Sequence, residues 1–583
     1  MPAKDAPVVP TLTERPPPGD DSARLADLSR EYWDDYLREH PLFATAIGVR
    51  GHDDRLPDIT PAGRAGWITR LETLAECARS IPETALSPED RTTRSELVIS
   101  IATNLDDARC DLEEWTVDPL SGPVVSFQNV ESYQSIRTID EARLMVARWR
   151  AMGPYIEDHV ANLRRGFAGG KVAVRAGVAK VLEQIDELIA RRIEEWPLLK
   201  PLKETPSEWA KADRAEFRDG LMSAVREGIR PSFVQLGDAL RGEILPRARP
   251  DDRPGLVHVP DGVAAYRRLI HSYTALDLSP DEVHSTGLQE VARINRELED
   301  LGGKTLGTGD RREILHRLRT DPGLYFGTRD EVEEKARSAL ARARAAIPRS
   351  FGRLPKADCT VVRMEAHEEK HSTIAYYRWP AADGSRPGRY YINTYAPETR
   401  PRYEAEVLAY HEAIPGHHLQ IAIAQELEGL PEFRKHLGVT AFIEGWALYT
   451  ERLADEMGLY TEDLDRIGVL SYDAWRACRL VVDTGMHAKG WTRAQAIDFM
   501  LENTALAENN IVNEVDRYIA WPGQALAYKV GQLEIRRLRA EAEKRLGRRF
   551  DLRTFHDAVL ENGAVSLETL RRSIEAYIER VTR

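Results

Sequence analysis

Apolar residues recur every three or four positions over most of the chain, the spacing that lines one face of an α-helix. Leu25, Leu28, Tyr32 and Tyr36 form the first such stripe, and His40-Pro41 stops it. Ser279-Pro280-Asp281-Glu282 reads as a capping box with proline at the first helical position. Thr328-Arg329-Asp330-Glu331 and Thr492-Arg493-Ala494-Gln495 are two more. Each opens a segment of helical period. The C-terminal hundred or so residues read as further helices, with stops near Gly547 and Asn562-Gly563. One region departs from this pattern. Residues 372–395, STIAYYRWPAADGSRPGRYYINTY, place two aromatic, β-prone runs around a Gly/Pro/Asp turn, which predicts a β-hairpin. Its later strand, around Tyr390, Tyr391, Ile392 and Asn393, is expected to lie beside a reactive centre and to pair with an extended substrate.

Residues 1–20 are rich in proline and read as a disordered arm. Residues 21–340 read as a helical N-terminal lobe, and 341–583 as a second lobe that holds the hairpin and every strong chemical motif. No long flexible linker separates them, so the expectation is one continuous body.

Composition narrows the partners. The chain has 583 residues, 42% hydrophobic and 30% charged, and 81 Lys plus Arg against 94 Asp plus Glu give a net charge of −13. An acidic balance without a dense basic block argues against nucleic acid or an anionic membrane as the main partner. No apolar stretch approaches the ~20 residues of a membrane span. The N-terminal sequence shows no secretory h-region and no lipobox-like cysteine, which gives a cytoplasmic expectation. Four widely spaced cysteines, without a CxxC pair, leave a disulfide framework, a zinc ribbon or an iron–sulfur cluster without support.

Two segments have metal-site character. His367-Glu368-Glu369-Lys370-His371 is a literal HExxH. It is densely charged, lacks an apolar stripe and runs straight into a predicted strand, so it reads as a solvated turn. The second is Tyr410-His411-Glu412-Ala413-Ile414-Pro415-Gly416-His417-His418, inside an apolar helical pattern. His411 and His417 are six residues apart, ~600° on a regular helix, and would face different ways. Pro415 and Gly416 should make the helix bulge, looping out two residues and bringing His417 to the place of the second histidine. His418 shares a face with His411, but two turns, ~10.8 Å, are too far to close one zinc sphere. Further on, Glu444 is an acid among apolar neighbours, and a buried carboxylate needs a partner such as a metal. His411, His417 and Glu444 then make a zinc-ligand set, with Glu412 left as general base.

HEAIPGHHLQ, with FIEGWALYTERLA, DTGMHAKGW and DRYIAWPGQALAYKVGQ, resembles the bacterial family called domain of unknown function 885, from about residue 20 to the C-terminus. The family is regarded as zinc hydrolases, similar in fold to carboxypeptidase Taq and angiotensin-converting-enzyme-like peptidases. The resemblance implies a mostly α, two-lobed fold with a central cleft and a small sheet beside the active site. It puts Zn²⁺ on His411, His417 and Glu444, with Glu412 as base.

Amide hydrolysis also needs donors for the oxyanion. His487, with Asp483 to orient it, and Tyr528 are the candidates, and Tyr528 stands where it resembles the transition-state tyrosine of gluzincin peptidases. Arg517 and Tyr518 are candidates for binding a substrate carboxylate, and Tyr391 and Asn393 for binding its main chain. Glu404 and Glu451 are possible acceptors for the far nitrogens of the ligand histidines. The expected substrate is a short peptide or peptide-like small amide. A pathway-specific amidase acting on a non-peptide and a helical binding protein stabilised by metal are the alternatives.

Overall fold

The computed structural model describes residues 21–364, 369, 373–380 and 386–583. It is 72% helical, with one small three-stranded sheet, so the mostly α expectation holds. Helix α1 (Asp21–Glu39) buries Leu25, Leu28 and Tyr32 as its stripe predicts, and it ends just before His40-Pro41. Helix α2 (Pro280–Thr305) begins with the reciprocal capping box of Ser279 and Glu282. Helix α3 (Arg329–Ala346) has Thr328 capping the Glu331 amide, but the Glu331 carboxylate turns back to the amide of Gly327 rather than that of Thr328. Among the described residues no helix is long and apolar enough to cross a membrane.

The sheet follows. Strands β1 (Cys359–Arg363), β2 (Ala375–Arg378) and β3 (Gly388–Ile392) lie in the order β1-β3-β2. The predicted hairpin is present: β2 and β3 pair antiparallel, Tyr376 opposite Tyr391 and Tyr377 opposite Tyr390. The Tyr376 and Tyr391 rings stack at 4.7 Å, the kind of cross-strand pair that stabilises a sheet. Strand β1 pairs with β3 in parallel, from Cys359 opposite Gly388 to Arg363 opposite Ile392. This corrects one expectation. β3 is the central strand, both its edges are taken, and it has no ladder left for a substrate. The edge is β2.

Behind the sheet come α4 (Ala405–Glu412), α5 (His417–Gln425), α6 (Thr440–Glu456), α7 (Asp463–Lys489), α8 (Glu508–Ala520) and α9 (Ala527–Leu546). Of the 27 residues of α7, 21 are buried, so it is enclosed on all sides rather than amphipathic. One core joins its Ile467, Leu470, Ala477 and Val481 to Ile294 and Leu298 of α2. Its polar residues therefore need partners inside the protein. Asp473, for example, meets the ammonium of Lys529 at 2.5 Å.

Helices α6 and α9 cross with almost no side chain between them. A Cβ built on Gly445 would come within 2.4 Å of the Gly531 Cα, and one on Gly531 within 1.7 Å of the Ala441 carbonyl oxygen. Backbone cannot move aside as a flexible side chain can. Gly531→Ala is expected to lose roughly 1–3 kcal/mol or more in denaturant unfolding. Gly303→Ala, at an exposed helical glycine with nothing within 4 Å, should be neutral or gain up to about 1 kcal/mol.

Candidate metal centre

The helix that carries His411 stops after Glu412. Ala413 (φ −106°, ψ −105°) and Gly416 (φ −77°, ψ −128°) leave helical geometry, the Ile414–Pro415 peptide is cis, and α5 starts at His417. The break is sharper than the bulge expected from the sequence. Glycine is required at 416, because a Cβ there would lie 1.9 Å from the carbonyl oxygen of His411. The carbonyl of Pro415 accepts from the Trp446 indole at 3.1 Å, so the turn is tied to α6.

The outcome is that His411 and His417 meet, with ring centroids 4.8 Å apart at 86°. From α6, the Oε2 of Glu444 lies 3.7 Å from Nε2 of His411 and 3.5 Å from Nε2 of His417. Ligand atoms at ~2.0–2.2 Å from a tetrahedral zinc lie roughly 3.3–3.6 Å apart, so these spacings fit one ion. The donor set fits as well. Glu444 Oε2 is buried and makes no hydrogen bond among the described residues. On its other side, His411 Nδ1 meets Glu451 Oε1 at 2.8 Å, the orienting contact that metal-binding histidines usually have. Among the described residues this is the one trio of His, Cys, Asp or Glu side chains to converge in this way.

The charges are coupled. Burial pulls the His411 imidazole down, but Glu444 and Glu451 outweigh it and push it up to about 9. Burial pushes the Glu444 carboxyl up, and His417 and His411 more than reverse that, holding it well below the usual carboxylate range. Burial raises Glu412, against the pull of both histidines. All four groups line a cavity of about 440 Å³, together with residues 373–377, Tyr472, Trp475, Arg476, Arg479, Glu514, Arg517 and Tyr528.

A family model for bacterial proteins of unknown function (DUF885) matches residues 41–574. The chain belongs to that family. It is also similar to the crystal structure of a protein from Colwellia psychrerythraea provisionally designated a lipoprotein. The TM-score is 0.87 at 27% identity, covering 96% of this chain and 100% of that one. A second structure, from Shewanella oneidensis and designated in the same way, matches with a TM-score of 0.74 at 19% identity over 94% and 99% of the two chains, a likeness of fold. No functionally curated protein matches.

In this DUF885 chain the candidate residues fall into two sets. His411, Glu412, His417, Glu444, Arg517 and Tyr528 share the cavity. His418 points elsewhere, its Nδ1 at 2.8 Å from the Tyr377 hydroxyl and its Nε2 at 3.1 Å from the Ala357 carbonyl, so His417 rather than His418 faces Glu444. Tyr391 is stacked on Tyr376, and Asn393 donates to the carbonyls of Glu369 and Thr373, so neither lines the cavity. Tyr518 lies behind it, its hydroxyl accepting from Arg479 and Trp475 and donating to Glu514. Glu404 accepts from Ser471, and Glu451 is the acceptor at His411. His367 and His371 lie outside the described residues. The sequence reading missed Arg476 and Arg479, although two arginines three residues apart in the run AWRACRLVV are a signal in themselves.

His487 corrects another expectation. Its Nδ1 accepts from the Leu256 amide at 3.2 Å and its Nε2 donates to the Tyr518 carbonyl at 2.9 Å, so no donor remains for a substrate. Asp483 does not orient it but binds the Tyr266 hydroxyl and the Gly523 amide. Burial lowers His487 to about 3, so it is a neutral clamp between distant segments. His487→Ala is expected to lose roughly 1–3 kcal/mol in denaturant unfolding, since it strands two buried backbone groups. Unchanged stability would be the contrary result.

Proposed function

We propose that this protein is a zinc-dependent hydrolase that cleaves an amide bond in a short peptide or peptide-like small molecule. The observation that carries this reading is the buried His411–His417–Glu444 cluster with Glu412 beside it on the wall of one cavity. Three protein ligands with a cavity beside them are the pattern of catalytic zinc, whereas structural zinc is closed by four. A site serving stability alone has no use for Glu412. Zinc held there supplies a Lewis acid that polarises the scissile carbonyl and brings a water near a pKa of ~7.

The remaining work falls to side chains. Glu412 takes the proton of the attacking water and delivers it to the leaving amine. Glu451 holds the His411 ring through Nδ1, so that Nε2 is the nitrogen turned to Glu444. Tyr528, backed by the Arg479 guanidinium 4.4 Å from its ring, donates its phenol proton in a hydrogen bond to the carbonyl oxygen as negative charge gathers there. The aromatic wall of Tyr376, Tyr377, Tyr472 and Trp475 keeps water from these groups and strengthens their interactions.

Metal analysis and turnover of a mixed peptide library test the proposal. The purified chain is expected to hold about one zinc, which His411→Ala loses and His367→Ala keeps. Glu412→Gln should keep the metal and lose roughly 10²–10⁴-fold in turnover, the usual worth of a general base. A metal-free, inactive wild-type protein would overturn the reading, and near-normal turnover in Glu412→Gln would overturn the role of the base.

Tyr528→Phe removes only a hydroxyl. It is expected to lower kcat by roughly 10²–10³-fold with KM little changed. A raised KM at normal kcat would make Tyr528 a ground-state contact instead.

A further inference from the structure

The cavity holds a second group of side chains, of which the hydrolytic reading uses only Arg479, as the backing of Tyr528. Arg476 and Arg479, one turn apart on α7, and Arg517 on α8 all line it. Arg476 and Arg479 are only 4% and 2% exposed. Two carboxylates lie within reach. Glu514 Oε2 meets Arg479 and Arg517 at 3.1 Å each, and it also takes the hydroxyl of Tyr518. Glu451 Oε1 is 3.8 Å from Arg476 but is engaged by His411. Glu412 and Glu404 also feel the charge of Arg476, so the site has no simple excess of cations. What is left over is donor capacity: Nε and Nη1 of Arg476, Nη1 of Arg479 and Nε of Arg517 are buried with no hydrogen-bond partner among the described residues.

Unpaired guanidinium N–H groups in a protein interior are expensive; Arg94, Arg230, Arg249, Arg311 and Arg386 each leave one such nitrogen outside the cavity, whereas the three neighbouring cavity arginines leave four between them. Arg148, fully buried elsewhere, gives its donors to Gln134, Thr45 and the carbonyls of Pro41, His52 and Arg55. In the cavity the arginines are instead held by ring faces. Arg476 lies 4.3 Å from Tyr472 and 4.2 Å from Trp475, and Arg479 lies 4.4 Å from both Trp475 and Tyr528. Such packing fixes the planes and leaves the N–H edges for something else. A planar cationic edge with unpaired N–H donors matches a carboxylate.

We propose that Arg476, Arg479 and Arg517 form a carboxylate-binding subsite. Glu451 Oε1 lies 2.8 Å from His411 Nδ1 and 3.8 Å from an Arg476 nitrogen, so that guanidinium is no more than about 7 Å from the His411 ring, or about two residues of extended chain at ~3.5 Å each. The anchored carboxylate then sits within about two residues of the bond cleaved, which describes an exopeptidase-like enzyme acting near a free carboxyl end. The position of cleavage rests on the hydrolase reading, but the binding of carboxylate does not.

The test is calorimetric binding to Glu412→Gln protein, full-length and zinc-loaded, so that turnover does not interfere. Three probes are compared: Ala-Ala-Phe with a free carboxylate, the same peptide as its C-terminal amide, and Ala-Glu-Phe amide. The free acid is expected to bind at least about thirtyfold more tightly than its amide, the smaller end of what losing one partner of a buried charge pair does. Adding Arg517→Lys, which keeps the charge and loses the fork at the least buried of the three, should shrink that ratio about tenfold and leave the amide unchanged. Tight binding of Ala-Glu-Phe amide alone would assign the carboxylate to an acidic side chain rather than the chain end. Equal binding of all three probes, no binding of either carboxylate-bearing probe, or a carboxylate preference indifferent to Arg517→Lys would overturn the subsite. Wild-type protein separates the two readings. Metal-dependent cleavage of amidated and free peptides at equal rates defeats the subsite and keeps the hydrolase. An acid-over-amide preference in binding without any turnover does the reverse.

Discussion

Glu444 brings a carboxylate into the interior on a helix whose neighbours are Phe442, Trp446 and Leu448. Burying an ionised acid costs several kcal/mol unless opposite charge or strong donors surround it. Two imidazoles do so here, and getting both to one oxygen dictates much else. The helix before Glu444 must be cut, so that residues six apart in sequence present their Nε2 atoms to the same point. The cut leaves backbone groups without helical partners, and the Trp446 indole on Glu444's own helix takes one of them. Glycine-to-glycine contact behind Glu444 fixes how far α6 reaches into the space.

The same logic extends outward as a chain of charge. Glu444 faces His411, His411 is held by Glu451, and Glu451 lies beside Arg476. The two ends of the cavity, one anionic and rich in imidazole, the other rich in guanidinium, are thus joined through one carboxylate. A change at either end alters the field at the other.

Much of this was legible in the sequence, for physical reasons that also mark the limit. Helix starts are local: the Ser279 and Thr492 boxes need only four residues each, and both are present. The His411–Pro415–Gly416–His417 break is local too, since ring and glycine act on their own backbone. Glu444 was legible as an acid out of place in an apolar run. Pairings over long distances were not. β1 is a five-residue strand whose Thr360-Val361-Val362 run is β-branched, but nothing nearby says that it covers the edge of β3. His487 and Asp483 sit one turn apart on a helix, which suggested a pair. Their real partners come from residues 256, 266, 518 and 523, brought in by tertiary packing.

The enclosure of α7 has a consequence for how the protein can be taken apart. Its face toward α2 is apolar, and α2 belongs to a segment nearly two hundred residues earlier. Gly287 on α2 sits so close to Leu480 and Val481 that a methyl group there would collide with them. A fragment that began at residue 341 would keep every side chain of the candidate centre, yet it would expose one whole side of the helix that carries Arg476 and Arg479. The motif-bearing half is therefore no portable module, and a shuffled or truncated gene encoding it alone would yield a chain prone to aggregate.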